Sequence, residues 1–154
     1  MKTLKIVAAT TLTAAVALSS MAFAEGHEDL DPAVKARQAH MQLYAHNLGI
    51  LGGMAQEKIP YDSALASIAA SNLAAVANLD EATYWTEGTA EGSRALPAIW
   101  ENMDDFMDKQ DGMAAAADTM VGLAGVDLAT LQGGMRDLGG ACSACHREYR
   151  QRDE

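Results

Sequence analysis

Two cysteines and a histidine near the end of the chain form the pattern Cys142-Ser143-Ala144-Cys145-His146. On a helix, residues three and four positions apart share a face, so both sulfurs and the imidazole are directed toward one patch. Two thiols can add across the two vinyl groups of one porphyrin, while the adjacent histidine supplies an axial nitrogen to the iron. The pattern therefore predicts one haem c, attached through Cys142 and Cys145, with His146 as the metal ligand.

Three other kinds of site compete with this interpretation of the two cysteines. A redox-active dithiol favours a strand-to-helix context, and the sequence shows no strand here. A structural zinc site needs a fourth ligand and usually a second cysteine pair, but the chain has only these two cysteines. A plain disulfide is a further alternative, although it leaves His146 unexplained.

The N-terminus indicates export. Lys2 and Lys5 precede an apolar stretch over residues 6–18, and the segment that follows ends in Ala22-Phe23-Ala24. This arrangement predicts a secretory signal peptide, residues 1–24, cleaved after Ala24. A membrane anchor is the alternative, but the apolar run is shorter than the roughly 20 residues that a spanning helix needs. Residues 25–154 are then one domain exported to the periplasm, which fits haem attachment outside the cytoplasm.

The chain is acidic, with a net charge of −10 that becomes −12 when the two lysines of the signal peptide are removed. Such a charge repels nucleic acid and anionic membrane surfaces, so neither is expected as a partner. It is compatible with a basic or neutral protein partner, here a periplasmic redox protein. The alternative is that the charge serves only solubility.

Apolar residues that recur every three or four positions predict four helices and an all-α fold. The expected ranges are 32–54 with Asp31 as N-cap, a second helix after Pro60 with Asp62 as cap, 97–123, and a fourth from cap Asp127 into the tail. On the second helix the expected apolar stripe is Leu65, Ile68 and Leu79. Four helices with one apolar stripe each predict an antiparallel four-helix bundle, and residues 80–96 are expected to form an irregular loop.

The haem motif lies on the last helix of this bundle, and in that respect the chain resembles the class II cytochromes c, specifically cytochrome c′. The resemblance covers essentially the whole chain after residue 24. The segments that carry it are Arg37-Gln38, Pro60-Tyr61-Asp62, Thr86-Glu87-Gly88, Leu96-Pro97-Ala98-Ile99-Trp100, the motif itself and Tyr149-Arg150.

The resemblance implies a role for several further residues. Arg37 and Gln38 are expected against the haem edge, where a cation can pair with a propionate. Arg150, one turn after His146, is expected near the proximal side of the haem. Arg94 is expected to approach the haem, at a position where several relatives have an acidic residue.

Met41 stands where the family places an apolar side chain over the open face of the iron. An unligated Met41 implies five-coordinate, high-spin iron that admits nitric oxide or carbon monoxide. A thioether bond to iron implies instead a six-coordinate, low-spin electron carrier, as in Met-ligated members of the class. His40 and His46 on the same helix, and His27 before it, are expected to be solvated surface histidines.

The sequence thus predicts a haem protein that binds small gaseous ligands and is capable of electron transfer, with a dedicated electron carrier as the alternative. Catalysis of the peroxidase kind is not expected, because the Met41 face offers no residue for acid–base work on peroxide. A homodimer built from the first two helices is implied by the resemblance. The alanines between residues 64 and 77 would allow close helix approach there, or serve as ordinary helix filler.

Overall fold

The computed structural model describes residues 30–152, so the predicted signal peptide lies outside the described residues. The helices of the described chain are α1 Pro32–Ala55, α2 Ser63–Ala77, α3 Ala98–Glu101, α4 Met103–Leu123 and α5 Leu128–Tyr149. The four long helices pack as a bundle in which α1 contacts α2 and α5, and α4 contacts the same two helices. The predicted all-α four-helix fold is confirmed.

Three of the long helices begin at the capping residues that the sequence predicts. The carboxylates of Asp31, Asp62 and Asp127 accept hydrogen bonds of 2.7, 2.9 and 2.7 Å from backbone N–H groups in the first turn that follows. Each bond satisfies a donor that the helix leaves without an internal partner. Because Asp127 fixes the start of α5, it also fixes how far along the bundle the cysteines lie.

The third predicted helix, 97–123, is not continuous. Asn102 has φ −136° and ψ 50°, which is outside the helical region, and it separates the single turn α3 from α4. The Asn102 side chain donates to the carbonyl oxygen of Ala98 at 3.3 Å, a local bond that competes with helix continuation. The sequence pattern does not show this break, because Ile99 before it and Phe106 after it are both buried in one cluster.

The prediction for the second helix is wrong about which face is buried. Leu65, Ile68 and Leu79 are 39%, 58% and 50% exposed. The buried face of α2 consists of Leu73 and four alanines, namely Ala66, Ala69, Ala70 and Ala74. Small side chains let α2 lie close against α1 and α4, and the larger apolar residues remain on the outside. These alanines therefore serve the core of the chain itself.

The core of the bundle is apolar and draws on all four long helices. Its largest fully buried members here are Leu51, Met54, Leu73, Met120, Leu131 and Leu138. Among the helices within residues 30–152, none combines the length and apolarity that crossing a bilayer requires.

Candidate functional site

The last two turns of α5 carry both cysteines and His146. Cys142 and Cys145 are half-buried, free thiols. The Sγ of Cys142 lies 3.6 Å from the Sδ of Met113 on α4. Cys145 packs against an aromatic and aliphatic cluster that contains Ile99 and Phe106. The two sulfurs therefore face the space between α5 and α4, as the helical spacing predicts.

The environment of these thiols is unlike that of a reactive dithiol. Burial raises the pKa of Cys142, and burial is also the main cause that raises the pKa of Cys145 to about 11. Reactive cysteines have a lowered pKa, because the thiolate is the nucleophile. A zinc site has no support either, since no group of three or more potential metal-binding side chains occurs in the part of the chain that the structure describes.

His146 lies beside two arginines that the sequence analysis singled out. His146 is an exposed residue, but partial burial of its imidazole lowers the pKa of His146, and the charges of Arg150 and Arg94 lower it further. The imidazole is therefore neutral at neutral pH, and a neutral imidazole nitrogen is the form that binds a metal. The structure thus brings Arg94 and Arg150 together with His146, and their contacts with haem remain predictions.

Arg94 is held near His146 because the loop before α3 pairs with the end of α5. The backbone N–H of Leu96 donates to the carbonyl oxygen of Tyr149 at 3.0 Å, and that of Gln151 donates to the carbonyl of Arg94 at 2.8 Å. The Arg94 guanidinium also donates to the Gln151 carbonyl at 2.9 Å. The loop and the haem-motif helix are thereby joined at one end of the bundle.

The register between α1 and α5 can be read from two contacts. The Nε2 of Gln132 donates to the carbonyl oxygen of Ala55 at 2.9 Å. A Cβ placed on Gly52 would lie 3.7 Å from the Cε of Met135. Residue numbers rise along one helix as they fall along the other, so α1 and α5 run antiparallel with these two pairs at equal height.

The same register brings Met41 level with His146. Met41 precedes Gly52 by as many residues as His146 follows Met135, and every helix residue advances about 1.5 Å along the axis. Met41 also shares a row of α1 with Leu48 and Gly52, and Gly52 faces α5. The structure therefore places Met41 on the α5 side of α1, at the height of the expected iron ligand.

Arg37 is directed into the long loop that follows α2. Its side chain is only 4% exposed. Its guanidinium donates to the carbonyl of Tyr84 at 2.6 Å, and to the hydroxyl and carbonyl oxygens of Thr89 at 2.8 and 2.6 Å. It also lies 4.9 Å from the centre of the Trp85 ring. The neighbouring Gln38 amide is exposed, 3.5 Å from the Gly92 carbonyl. Pairing of Arg37 with a propionate stays a prediction, and in this structure the loop occupies these donors.

His40 is buried, at 4% exposure, and the expectation of a solvated histidine is wrong. Its ring centre lies 4.6 Å from that of Tyr44 and 5.8 Å from that of Tyr84. Its Nε2 lies 3.4 Å from Oε1 of Glu81. Burial lowers the pKa of His40, and the negative charge of Glu81 opposes that shift. His46 is exposed, as expected, and His27 lies outside the described residues.

Glu81 was not identified from the sequence, yet it is a buried carboxylate with several partners. Its Oε2 accepts hydrogen bonds from Nε1 of Trp85 at 2.8 Å and from Nε2 of Gln110 at 2.7 Å. The Trp85 ring packs against Phe106 with 4.5 Å between ring centres. The one sequence signal was the spacing of Glu81 and Trp85, four residues apart in a segment expected to be irregular.

The residues around α5 fit a haem c group. The two thiols are protonated and three residues apart, as addition to two vinyl groups requires, and the adjacent imidazole is neutral. The apolar wall of Ile99 and Phe106 beside Cys145 suits the face of a porphyrin. When bound, such a group supplies an iron that can change oxidation state and take up a ligand.

Comparison with known proteins agrees with this fit. Residues 32–150 match the cytochrome C′ family. The chain is 49% identical to cytochrome c-554 of Cereibacter sphaeroides over 136 residues. This alignment covers 86% of this chain and 89% of that protein.

Two solved structures are similar in fold. A cytochrome c′ from Rhodobacter Spheriodes superposes with a TM-score of 0.76 at 30% identity, covering 79% of this chain and 96% of the other. A nitric oxide complex of a variant of cytochrome c prime from Alcaligenes xylosoxidans gives a TM-score of 0.70 at 30% identity, covering 79% and 94%.

Proposed function

Because the chain belongs to the cytochrome c′ family and carries haem c on Cys142 and Cys145, we propose that it is a periplasmic haem protein with five-coordinate, high-spin iron that binds nitric oxide and carbon monoxide. Electron exchange with a periplasmic partner protein is a second capacity of the same haem. The observation that carries the proposal is the register that brings Met41 level with His146. His146 would hold the iron from α5, and the Met41 side chain would cover its opposite face.

The α1 residues near this level offer the iron an apolar environment. Arg37 is engaged by the loop, His40 lies beside Glu81, and the amide of Asn47 donates to the Leu43 carbonyl at 2.9 Å. A distal face without a charged side chain favours small uncharged ligands. It also lacks the acid–base group that peroxide cleavage needs, which supports the proposal that the protein is not an enzyme. The nitric oxide complex solved for the Alcaligenes xylosoxidans variant supports the choice of ligand.

One observation favours the alternative, a low-spin electron carrier with Met41 as the sixth ligand. Met41 is 37% exposed, whereas Met54, Met113 and Met120 are 0%, 9% and 1% exposed. Those three methionines fill the core, which is the usual use of this side chain. Met41 is not held by such packing, so its thioether sulfur is available for iron.

Absorption and electron paramagnetic resonance spectra of the ferric protein, and absorption of the reduced protein with carbon monoxide, distinguish the two. We expect high-spin ferric iron and uptake of carbon monoxide by the reduced protein. Low-spin iron that becomes high-spin in Met41→Ala would overturn the proposal in favour of the electron carrier. Met107→Ala is the matched control, because Met107 is a methionine of similar exposure, 41%, on α4, and it should leave the spectra unchanged.

The proposed location follows from the predicted signal peptide over residues 1–24 and from the c-type attachment motif. The acidic character of the chain supports a basic or neutral partner protein.

We also propose a homodimer formed by the outer surfaces of α1 and α2. Leu43 on α1 is 50% exposed, and Leu65 and Ile68 on α2 are 39% and 58% exposed. Exposed apolar side chains on two adjacent helices are compatible with an association surface. In sedimentation equilibrium we expect a dimer that Ile68→Glu converts to monomer, while Val126→Glu, at a site 63% exposed outside these helices, leaves it intact. A wild-type monomer at micromolar concentration would refute this proposal.

A further inference from the structure

The buried carboxylate of Glu81 has no part in the ligand chemistry proposed above, although three elements converge on it. His40 of α1 lies against one oxygen, and Trp85 of the loop and Gln110 of α4 both donate to the other. The two donors at 2.8 and 2.7 Å are N–H groups, which an ionised carboxylate accepts. Burying a carboxylate is costly unless its hydrogen bonds are made, so its position in this structure is closely determined.

The Glu81 network adjoins the residues that hold the haem. The Trp85 indole that donates to Glu81 packs edge-to-face against Phe106, and both rings belong to the cluster that also contains Cys145. The charge of Glu81 adds to burial in raising the pKa of Cys145. The pKa of Tyr44 is raised by burial, by the charge of Glu81 and by the charge of Cys142. Glu81 therefore lies within electrostatic reach of the thioether position Cys145.

We propose that the Glu81 carboxylate is a fixed negative charge that stabilises the ferric haem and lowers the reduction potential of this protein. Ferric haem carries one more positive charge than ferrous haem, so a nearby anion favours the oxidised state. Because the site is shielded from water, the interaction is weakened less than it would be at the surface. The indole and the amide that hold the carboxylate are neutral, and burial lowers the pKa of the adjacent His40. At neutral pH these partners therefore fix the position of the carboxylate without cancelling its charge.

The inference requires bound haem but neither of the two coordination states considered above. Glu81 is a positioning and tuning residue, since it acts on the iron through space and does not contact the reacting atoms. Its failure and that of the proposed function are therefore distinguishable: the spin state reports on Met41, and the midpoint potential reports on Glu81.

Spectroelectrochemical titration of the holoprotein tests the proposal with Glu81→Gln, which removes the charge and keeps the size of the side chain. We expect the midpoint potential to rise by an amount equivalent to a roughly tenfold change in the ferrous-to-ferric ratio, which is 59 mV for a one-electron couple. Glu81→Asp keeps the charge and should stay close to the wild type. Glu87→Gln removes an exposed charge from the same loop and should shift the potential far less.

An unchanged potential in Glu81→Gln, or equal shifts in the Gln and Asp variants, would overturn the proposal. Equal shifts would mean that altered packing, and not charge, moves the potential. If the glutamine amide does not fit beside its neighbours and the variant fails to retain haem, Glu81→Ala removes the same charge with no amide to accommodate. The same rise is expected for it, and its absence would also refute the proposal.

Discussion

The double variant Cys142→Ser, Cys145→Ser is expected to lose all covalently attached haem. Serine keeps the size of each side chain, but its hydroxyl does not form the thioether that a cysteine thiol forms with a vinyl group. Haem staining after denaturing electrophoresis, together with the intact mass of the protein, measures the loss. Each single variant should retain one thioether bond and hence haem of the same mass.

Ser143→Ala is the matched control for this experiment. Ser143 lies between the two cysteines on α5 and is exposed, so its replacement should leave the haem content unchanged. Haem that stays with the double variant after denaturation would contradict the assignment of the two attachment points. A partial loss in Ser143→Ala would instead show that the helix around the motif had been disturbed.

Arg37→Gln is expected to destabilise the folded protein by about 1–3 kcal/mol, the range for leaving a buried acceptor without its hydrogen-bond donor. The substitution leaves two carbonyl oxygens without their donor, that of the buried Thr89 and that of the half-buried Tyr84. It also removes the cation that lies over the Trp85 ring. Urea unfolding of the holoprotein, followed by circular dichroism at one protein concentration, gives the free energy of unfolding.

The neighbouring residue provides the comparison. Gln38 is exposed and has a hydrogen bond of 3.5 Å to the same loop, so Gln38→Ala should cost no more than about 0.5 kcal/mol. Similar losses of stability in the two variants would show that Arg37 does not anchor the loop. Faster proteolysis of the loop in Arg37→Gln than in Gln38→Ala would show that the loss of stability arises from a loosened loop.

The features that the sequence predicts well are local or strictly periodic. A capping carboxylate such as Asp127 acts on a donor within the next turn, so its effect is visible in a few consecutive letters. Because periodicity and the Asp127 cap predict a helix here, the spacing of Cys142, Cys145 and His146 places them on one face of it. These parts of the fold and site require no knowledge of the neighbouring helices.

The features that were mispredicted or missed depend on which neighbour a residue meets. Leu65 and Ile68 were predicted to be buried because they are hydrophobic. The face of α2 that is buried carries mainly alanines, because small side chains let the neighbouring helices lie close. His40 is about 100° around the helix from Met41, and that direction is buried because Tyr84 and Glu81 cover it. Glu81 accepts a hydrogen bond from Gln110, which is 29 residues away in the sequence. Local sequence patterns do not predict contacts over such a separation.

The fixed register between α1 and α5 limits how the length of this protein can change during evolution. One residue inserted in α1 between Met41 and Gly52 would turn Met41 by about 100° and shift it about 1.5 Å, away from its place opposite His146. The same insertion in α5 between Met135 and His146 would displace the motif in the same way. Insertions in the connections between helices leave both spacings intact. Changes in chain length are therefore expected to accumulate between the helices, while these two equal intervals stay constant.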